Sequence, residues 1–161
     1  MFVRRTKPKS DDAAAALNAA LRILTRREYS KLELYNKLLE RYTKEAARQA
    51  LKKCIEENWQ SEECFAQMLF NHLKNSLYGP KKIAMQMMVK GVKPEFYQQY
   101  IDETNWCEVA ASFIKKKASE SIKNMSFEDR QKLLSSVARR GFSNSDCLEA
   151  LKTASASFSE D

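Results

Sequence analysis

The sequence predicts an all-α fold, three tandem three-helix repeats forming a short, curved helical solenoid. Three observations predict it. Apolar residues recur at i, i+3, i+4 and i+7 along nearly the whole chain, the period of amphipathic helices. Only three Gly and three Pro occur in 161 residues, too few turn formers for a β-sandwich or a Gly-rich nucleotide-binding fold. The pattern also returns every fifty residues: Arg41, Gly91 and Gly141 at a stop, then Tyr42, Val92 and Phe142, then Ala47, Tyr97 and Cys147, then Leu51, Ile101 and Leu151. Units that each bury part of their surface against the next follow from such a repeat.

Taken in order, Leu17, Ala20, Leu21 and Leu24 form the stripe of a first helix. Tyr35, Leu38, Leu39 and Tyr42 form a second, opened by Ser30 and Glu33 at capping-box spacing. Ala47, Ala50, Leu51 and Cys54 make a third. Ser61 caps a fourth, with Glu62 and Glu63 in the first turn, where carboxylates oppose the positive helix end, and with Phe65, Met68, Leu69 and His72 as its stripe. Pro80 opens a fifth with Ile83, Ala84, Met87 and Met88, which Gly91 ends in a left-handed turn. Pro94 opens a sixth. Val109, Ala110, Phe113 and Ile114 carry a seventh, Leu133, Leu134, Val137 and Ala138 an eighth that stops at Gly141, and Cys147, Ala150, Leu151 and Ala154 a ninth. These divide the chain into a basic flexible N-terminal tail (1–12), three repeats (13–58, 59–104 and 105–154, with Trp59 and Trp106 at the junctions) and a short polar tail (155–161).

Composition excludes several function classes. There is no run of 18 apolar residues, and the basic start MFVRRTKPKSDD has no apolar stretch after it, so the expectation is a cytoplasmic protein with no membrane contact. Cys54, Cys64, Cys107 and Cys147 lack CxxC spacing and the chain has one His, so no metal or other cofactor is expected. Cys54 and Cys147 fall on core-facing positions and read as reduced thiols acting as small hydrophobes. No Walker loop, G-x-S-x-G or HExxH occurs, and His72 has no identifiable catalytic partner. The chain is not expected to be an enzyme.

The formal net charge of +7 and isoelectric point near 9.2 favour acidic partners. The positive charge is clustered: Arg4, Arg5, Lys7 and Lys9; Arg22, Arg26 and Arg27; Lys81 and Lys82; Lys115, Lys116 and Lys117; Arg139 and Arg140. A cluster on one helix is usually a solvated face, but pairs on second helices of stacked units could align into a basic stripe, with Tyr78 adding a ring for unpaired bases. Arg26, Arg27, Lys81, Lys82, Lys115, Lys116, Lys117, Arg139 and Arg140 are therefore the candidate binding residues.

Arg26, Arg27, Ser30, Glu33, Leu34, Lys37 and Leu38, read as R-R-x-x-S-x-x-E-L-x-x-K-L, resemble the signature of the RecX family, bacterial regulators of the RecA recombinase. The resemblance continues through Trp59 and E-E-C-F-A at 62–66, Y-G-P-x-x-I at 78–83 and R-R-G-F at 139–142, spanning roughly residues 13–152. The chain departs from the family pattern at Asn58 and Arg41, where Gly is usual, and at Glu62, where Asp is. Asn tolerates the left-handed backbone, and Glu still serves a helix start.

The chain is expected to be a monomer, and the resemblance implies three three-helix units. It implies binding to RecA, in the groove or at the ends of its filament on single-stranded DNA, and inhibition of recombination, ATP hydrolysis and co-protease activity. It leaves open weak contact with single- and double-stranded DNA. Two other classes fit the residues without the resemblance: a sequence-independent DNA-binding module, and a helical scaffold for another protein.

Overall fold

A computed structural model of the chain describes residues 7–118, 122 and 124–157. Among the described residues the fold is all-helical: α1 (Ala13–Leu24), α2 (Lys31–Leu39), α3 (Lys44–Glu56), α4 (Glu62–Asn75), α5 (Pro80–Val89), α6 (Gln98–Glu103), α7 (Trp106–Ala118), α8 (Phe127–Arg139) and α9 (Asn144–Ser157), with a 3-10 turn at Pro94–Phe96 before α6. The sole extended pairing among them is an isolated bridge between Ser10 and Tyr42. It ties part of the N-terminal segment to the α2–α3 turn, since Ser10 N–H donates to Arg41 and its carbonyl accepts from Thr43. Arg4, Arg5 and residues 158–161 lie outside the described residues.

Caps decide where the helices start. Ser30 Oγ accepts from Glu33 N–H at 3.1 Å while a Glu33 carboxylate oxygen accepts from Ser30 N–H, the reciprocal box the sequence predicts. Asp12, Thr43, Ser61, Ser126 and Ser143 cap α1, α3, α4, α8 and α9 in the simpler way. Gly91 at φ 73° and Gly141 at φ 96° make the left-handed stops after α5 and α8. Asn58 takes the same conformation at φ 56°, as its tolerance predicts, whereas Arg41 completes its turn without positive φ. Helices α2, α5 and α8 end fifty residues apart, and Ala47, Tyr97 and Cys147 are all buried, so the repeat is carried by both boundaries and burial.

The chain forms two compact units, residues 1–68 with 90–92, and residues 69–89 with 93–161. In the first, α1, α2 and α3 pack around Ala16, Ala20, Leu34, Leu38, Ala46, Ala47, Ala50 and Cys54. Alanines on the facing sides of α1 and α3 bring those two backbones close, while Leu34 and Leu38 each contribute about 1.5–3 kcal/mol by burial. In the second, α7, α8 and α9 enclose Ala110, Ile114, Leu133, Val137, Phe142, Ala150 and Ala154. Trp106 meets Phe70 and Phe142 edge to face, and its Nε1–H donates to the Ile101 carbonyl at 2.9 Å.

The stripe expected for α4 is corrected. Phe65, Ala66 and Phe70 are buried, whereas Met68 and His72 are exposed. The spacing 65, 66, 69, 70 is as helical as 65, 68, 69, 72, and the packing selects the first. Glu62 also does more than favour a helix start: only 7% exposed, it accepts from Lys31 N–H at 2.7 Å and from Gln60 Nε2 at 3.1 Å, so it caps α2 from a distance.

Candidate functional site

In the second unit, the turn after α4, the start of α5 and the outer faces of α7 and α8 surround an open concavity of about 700 Å³. Lys82, Lys116, Lys117, Arg139 and Arg140 line it, together with Tyr78. Two close approaches set the geometry. Gly79 N–H donates to the Arg140 carbonyl at 2.8 Å, and Lys81 N–H to the Gly141 carbonyl at 3.1 Å. A Cβ on Gly79 would lie 2.5 Å from the Gly141 carbonyl carbon, and one on Gly141 would lie 2.5 Å from Lys82 N. The Y-G-P and R-R-G-F motifs are thus two halves of one junction, and it is this junction that sets Lys82 beside Arg139 and Arg140.

The same junction occurs in the first unit. Ser30 Oγ donates to the Lys90 carbonyl at 2.7 Å, and a Cβ on Gly91 would lie 2.9 Å from the Leu32 side chain. Lys90 Nζ pairs with Glu33, which Arg27 also approaches at 3.7 Å. There the cations meet a carboxylate. In the second unit, among the described residues, no acidic residue lines the concavity and no ion pair involves its five cations.

The five cations are not equivalent. Arg140 donates from its guanidinium to the Ser76 carbonyl at 3.0 Å and lies over the rings of Tyr78 (4.4 Å) and Phe113 (4.8 Å). It therefore ties α8 to the α4–α5 turn while keeping its charge. Its position also occupies one face of Tyr78, so the ring expected as a stacking platform is partly used inside the fold. Arg139 is exposed and bonds within its own helix, from Nε to the Ser135 carbonyl at 3.3 Å. Lys117 Nζ sits 5.8 Å from the Phe113 ring, and Lys116 points to the same space. Lys115, the first of the run, does not line the concavity, because consecutive residues fan around a helix.

Of the remaining candidates, Lys81 is exposed outside this lining. Arg27 stacks on Tyr29 at 3.8 Å and pairs with Glu33, so it is engaged structurally. Arg26 lines a separate concavity of about 520 Å³ in the first unit with Arg22, Lys37 and Arg41, where Glu40 offsets part of the charge. Sequence reasoning missed Lys37 and Arg41 as basic neighbours of Arg26; their return to one surface depends on the α1–α2 packing.

Five cations around an open space that no described carboxylate lines can hold phosphate groups through charge-assisted hydrogen bonds, which suits a polyanion. Among the described residues no group of three His, Cys, Asp or Glu side chains is placed to hold a metal, and no helix is long and apolar enough to cross a membrane.

The profile of the first three-helix domain of RecX matches residues 16–54. The chain is 29% identical over 134 residues to the regulatory protein RecX of Haemophilus influenzae (strain PittEE), covering 81% of this chain and 88% of that one. It is 30% identical over 146 residues to the regulatory protein RecX of Legionella pneumophila (strain Corby), covering 89% and 97%. Among solved structures, RecX from Lactobacillus salivarius superposes with a TM-score of 0.75 at 19% identity over 89% of this chain and 97% of that one, a likeness of fold. With near-complete coverage of such relatives and the motif junctions in place, this chain belongs to the RecX family of regulatory proteins.

Proposed function

We propose that this chain regulates the RecA recombinase, binding it and its filament on single-stranded DNA and lowering recombination, ATP hydrolysis and co-protease activity. Family membership supports the partner, and the converging cations of the second-unit concavity support contact with the filament's phosphates. The observation that carries the reading is the set Lys82, Lys116, Lys117 and Arg139, converging from three helices on a space that no carboxylate lines among the described residues. The protein acts by binding rather than catalysis, as a cytoplasmic monomer of three tandem units divided near residues 59 and 105. The test is RecA-catalysed ATP hydrolysis on single-stranded DNA across a titration of the chain. Inhibition supports the reading; an unchanged rate at every ratio removes it.

The same concavity favours a second reading, a sequence-independent DNA-binding module acting without a recombinase. Binding to RecA with no DNA present separates the two, since only the regulator needs it.

A further inference from the structure

Helix α5 presents a surface that the proposed function leaves unused. Ile83 and Met87 face inward and are buried, while on the other side Met85, Met88 and Val89 are 42%, 70% and 61% exposed. At about 100° per residue, Lys81, Lys82, Met85, Met88 and Val89 share one arc of the helix, opposite Ile83 and Met87. Lys82 belongs both to this arc and to the basic concavity.

The fold does not demand apolar residues there. Fifty residues on, the corresponding positions Ser135, Ala138 and Arg139 of α8 are exposed and carry no large apolar group. Fifty residues back, Tyr35, Leu38 and Leu39 of α2 are large too, but Leu38 is buried in the first unit's core and Tyr35 and Leu39 pack, partly buried, against it. Only in the middle repeat are the side chains both large and apolar and turned outward. The charge beside them is positive: Lys81 and Lys82 share the arc, and between Glu63 and Glu95 the chain has no Asp or Glu, although Lys90 beyond the helix end is paired with Glu33.

We propose that this face of α5 is a docking surface for a protein segment carrying carboxylates beside large apolar side chains. Thioether and aliphatic groups cannot bond phosphate and offer no aromatic ring for bases to stack on, so a nucleic acid does not explain them. Methionine is enriched at protein interfaces and repacks readily around a partner side chain. A segment whose carboxylates reach Lys81 while its apolar residues cover Met85 and Met88 satisfies both features. The proposal rests on the regulator reading and places the segment on RecA, so that α5 meets recombinase where the concavity meets phosphate.

The full chain, a Met85→Gln, Met88→Gln double variant and Lys81→Glu are titrated into labelled RecA without DNA, and into a labelled oligothymidylate. Because the altered side chains are exposed, all three proteins should melt alike. The double variant is expected to bind RecA about tenfold more weakly than the parent and the oligonucleotide equally well. Lys81→Glu should weaken RecA binding several-fold and flatten its salt dependence. Unchanged RecA binding by the double variant overturns the docking surface, and so does a parallel loss of RecA and oligonucleotide binding. A loss confined to the double variant, with Lys81→Glu titrating as the parent, overturns the acidic character of the segment. If the parent itself binds the oligonucleotide but never RecA, the regulator reading fails and takes this proposal with it, a result distinct from failure in the variants alone.

Discussion

Gly79 and Gly141 are in backbone contact, so close that a Cβ on Gly79 would meet the Gly141 carbonyl carbon at 2.5 Å. Neither neighbour is the mobile end of a side chain, so the backbone itself would have to move. Gly79→Ala is therefore expected to destabilise the fold by roughly 1–3 kcal/mol, as overpacking does. Gly141→Ala should cost more, because φ 96° adds backbone strain to a clash with Lys82 N. Urea unfolding of both variants checks the order.

Ser30→Ala removes more than a cap. The hydroxyl is fully buried, accepts from Glu33 N–H and donates to the Lys90 carbonyl across sixty residues of chain. Losing the cap and taking the donor from the part-buried Lys90 carbonyl should together cost about 1–3 kcal/mol, above the roughly 1 kcal/mol of a surface cap. Thermal melting of the variant should fall by several degrees, with oligonucleotide binding unchanged at temperatures where it is folded. Normal melting with lost RecA inhibition would make Ser30 a contact residue instead.

Arg139 and Arg140 are adjacent in sequence but should separate experimentally. Arg140→Gln loses the bond to Ser76 and the stacking on Tyr78 and Phe113, so its melting temperature should drop. Arg139→Gln should melt as the parent does. It should reduce the slope of log affinity against log salt for single-stranded DNA by about 0.7, the release of one phosphate contact's counterions. Lys115→Gln, outside the concavity, should leave both quantities unchanged.

Burial pushes the Cys54 and Cys147 thiols up from their ordinary range, and Asp146 adds to the effect at Cys147. The reactive thiolate is thus disfavoured at both as well as shielded. With a thiol-specific disulfide reagent near neutral pH, Cys64 should react first and Cys107, half-buried, more slowly. Cys54 and Cys147 should wait for denaturant. Raising the pH within the folded range should leave Cys54 and Cys147 slow, because burial holds both thiols in their protonated form.

These predictions draw unevenly on what the sequence made legible. The capping box at Ser30 and Glu33, the stops at Gly91 and Gly141, the left-handed Asn58 and the buried Cys54 and Cys147 are local matters of propensity and phase, and could be read from neighbours in the chain. The phase of α4 could not, since Phe65 begins two equally helical stripes and only distant packing chooses Phe70 over His72. Leu77 adopts φ 62° where Gly would be expected, and its side chain packs against the second unit's core, so contacts remote in sequence hold an unfavourable backbone. The nine candidate cations were visible as clusters, but it is the Gly79–Gly141 junction that brings Lys82 to Arg139 and Arg140, and the packing of α7 on α8 that adds Lys116 and Lys117. Arg27 and Lys90 were drawn to Glu33, a pairing that charge clusters alone do not reveal.

The most direct measurement of the central claim is RecA ATP hydrolysis on single-stranded DNA, titrated in parallel with the parent chain and with a Lys82→Gln, Lys116→Gln, Lys117→Gln, Arg139→Gln variant that keeps Arg140 in place. The account predicts that the parent lowers the rate. The variant, melting as the parent does, should need several-fold more protein for the same inhibition, with a smaller loss of effect as salt rises. Equal inhibition by both proteins at every salt concentration would contradict the role of the concavity, and an unaltered rate with the parent would contradict regulation of RecA itself.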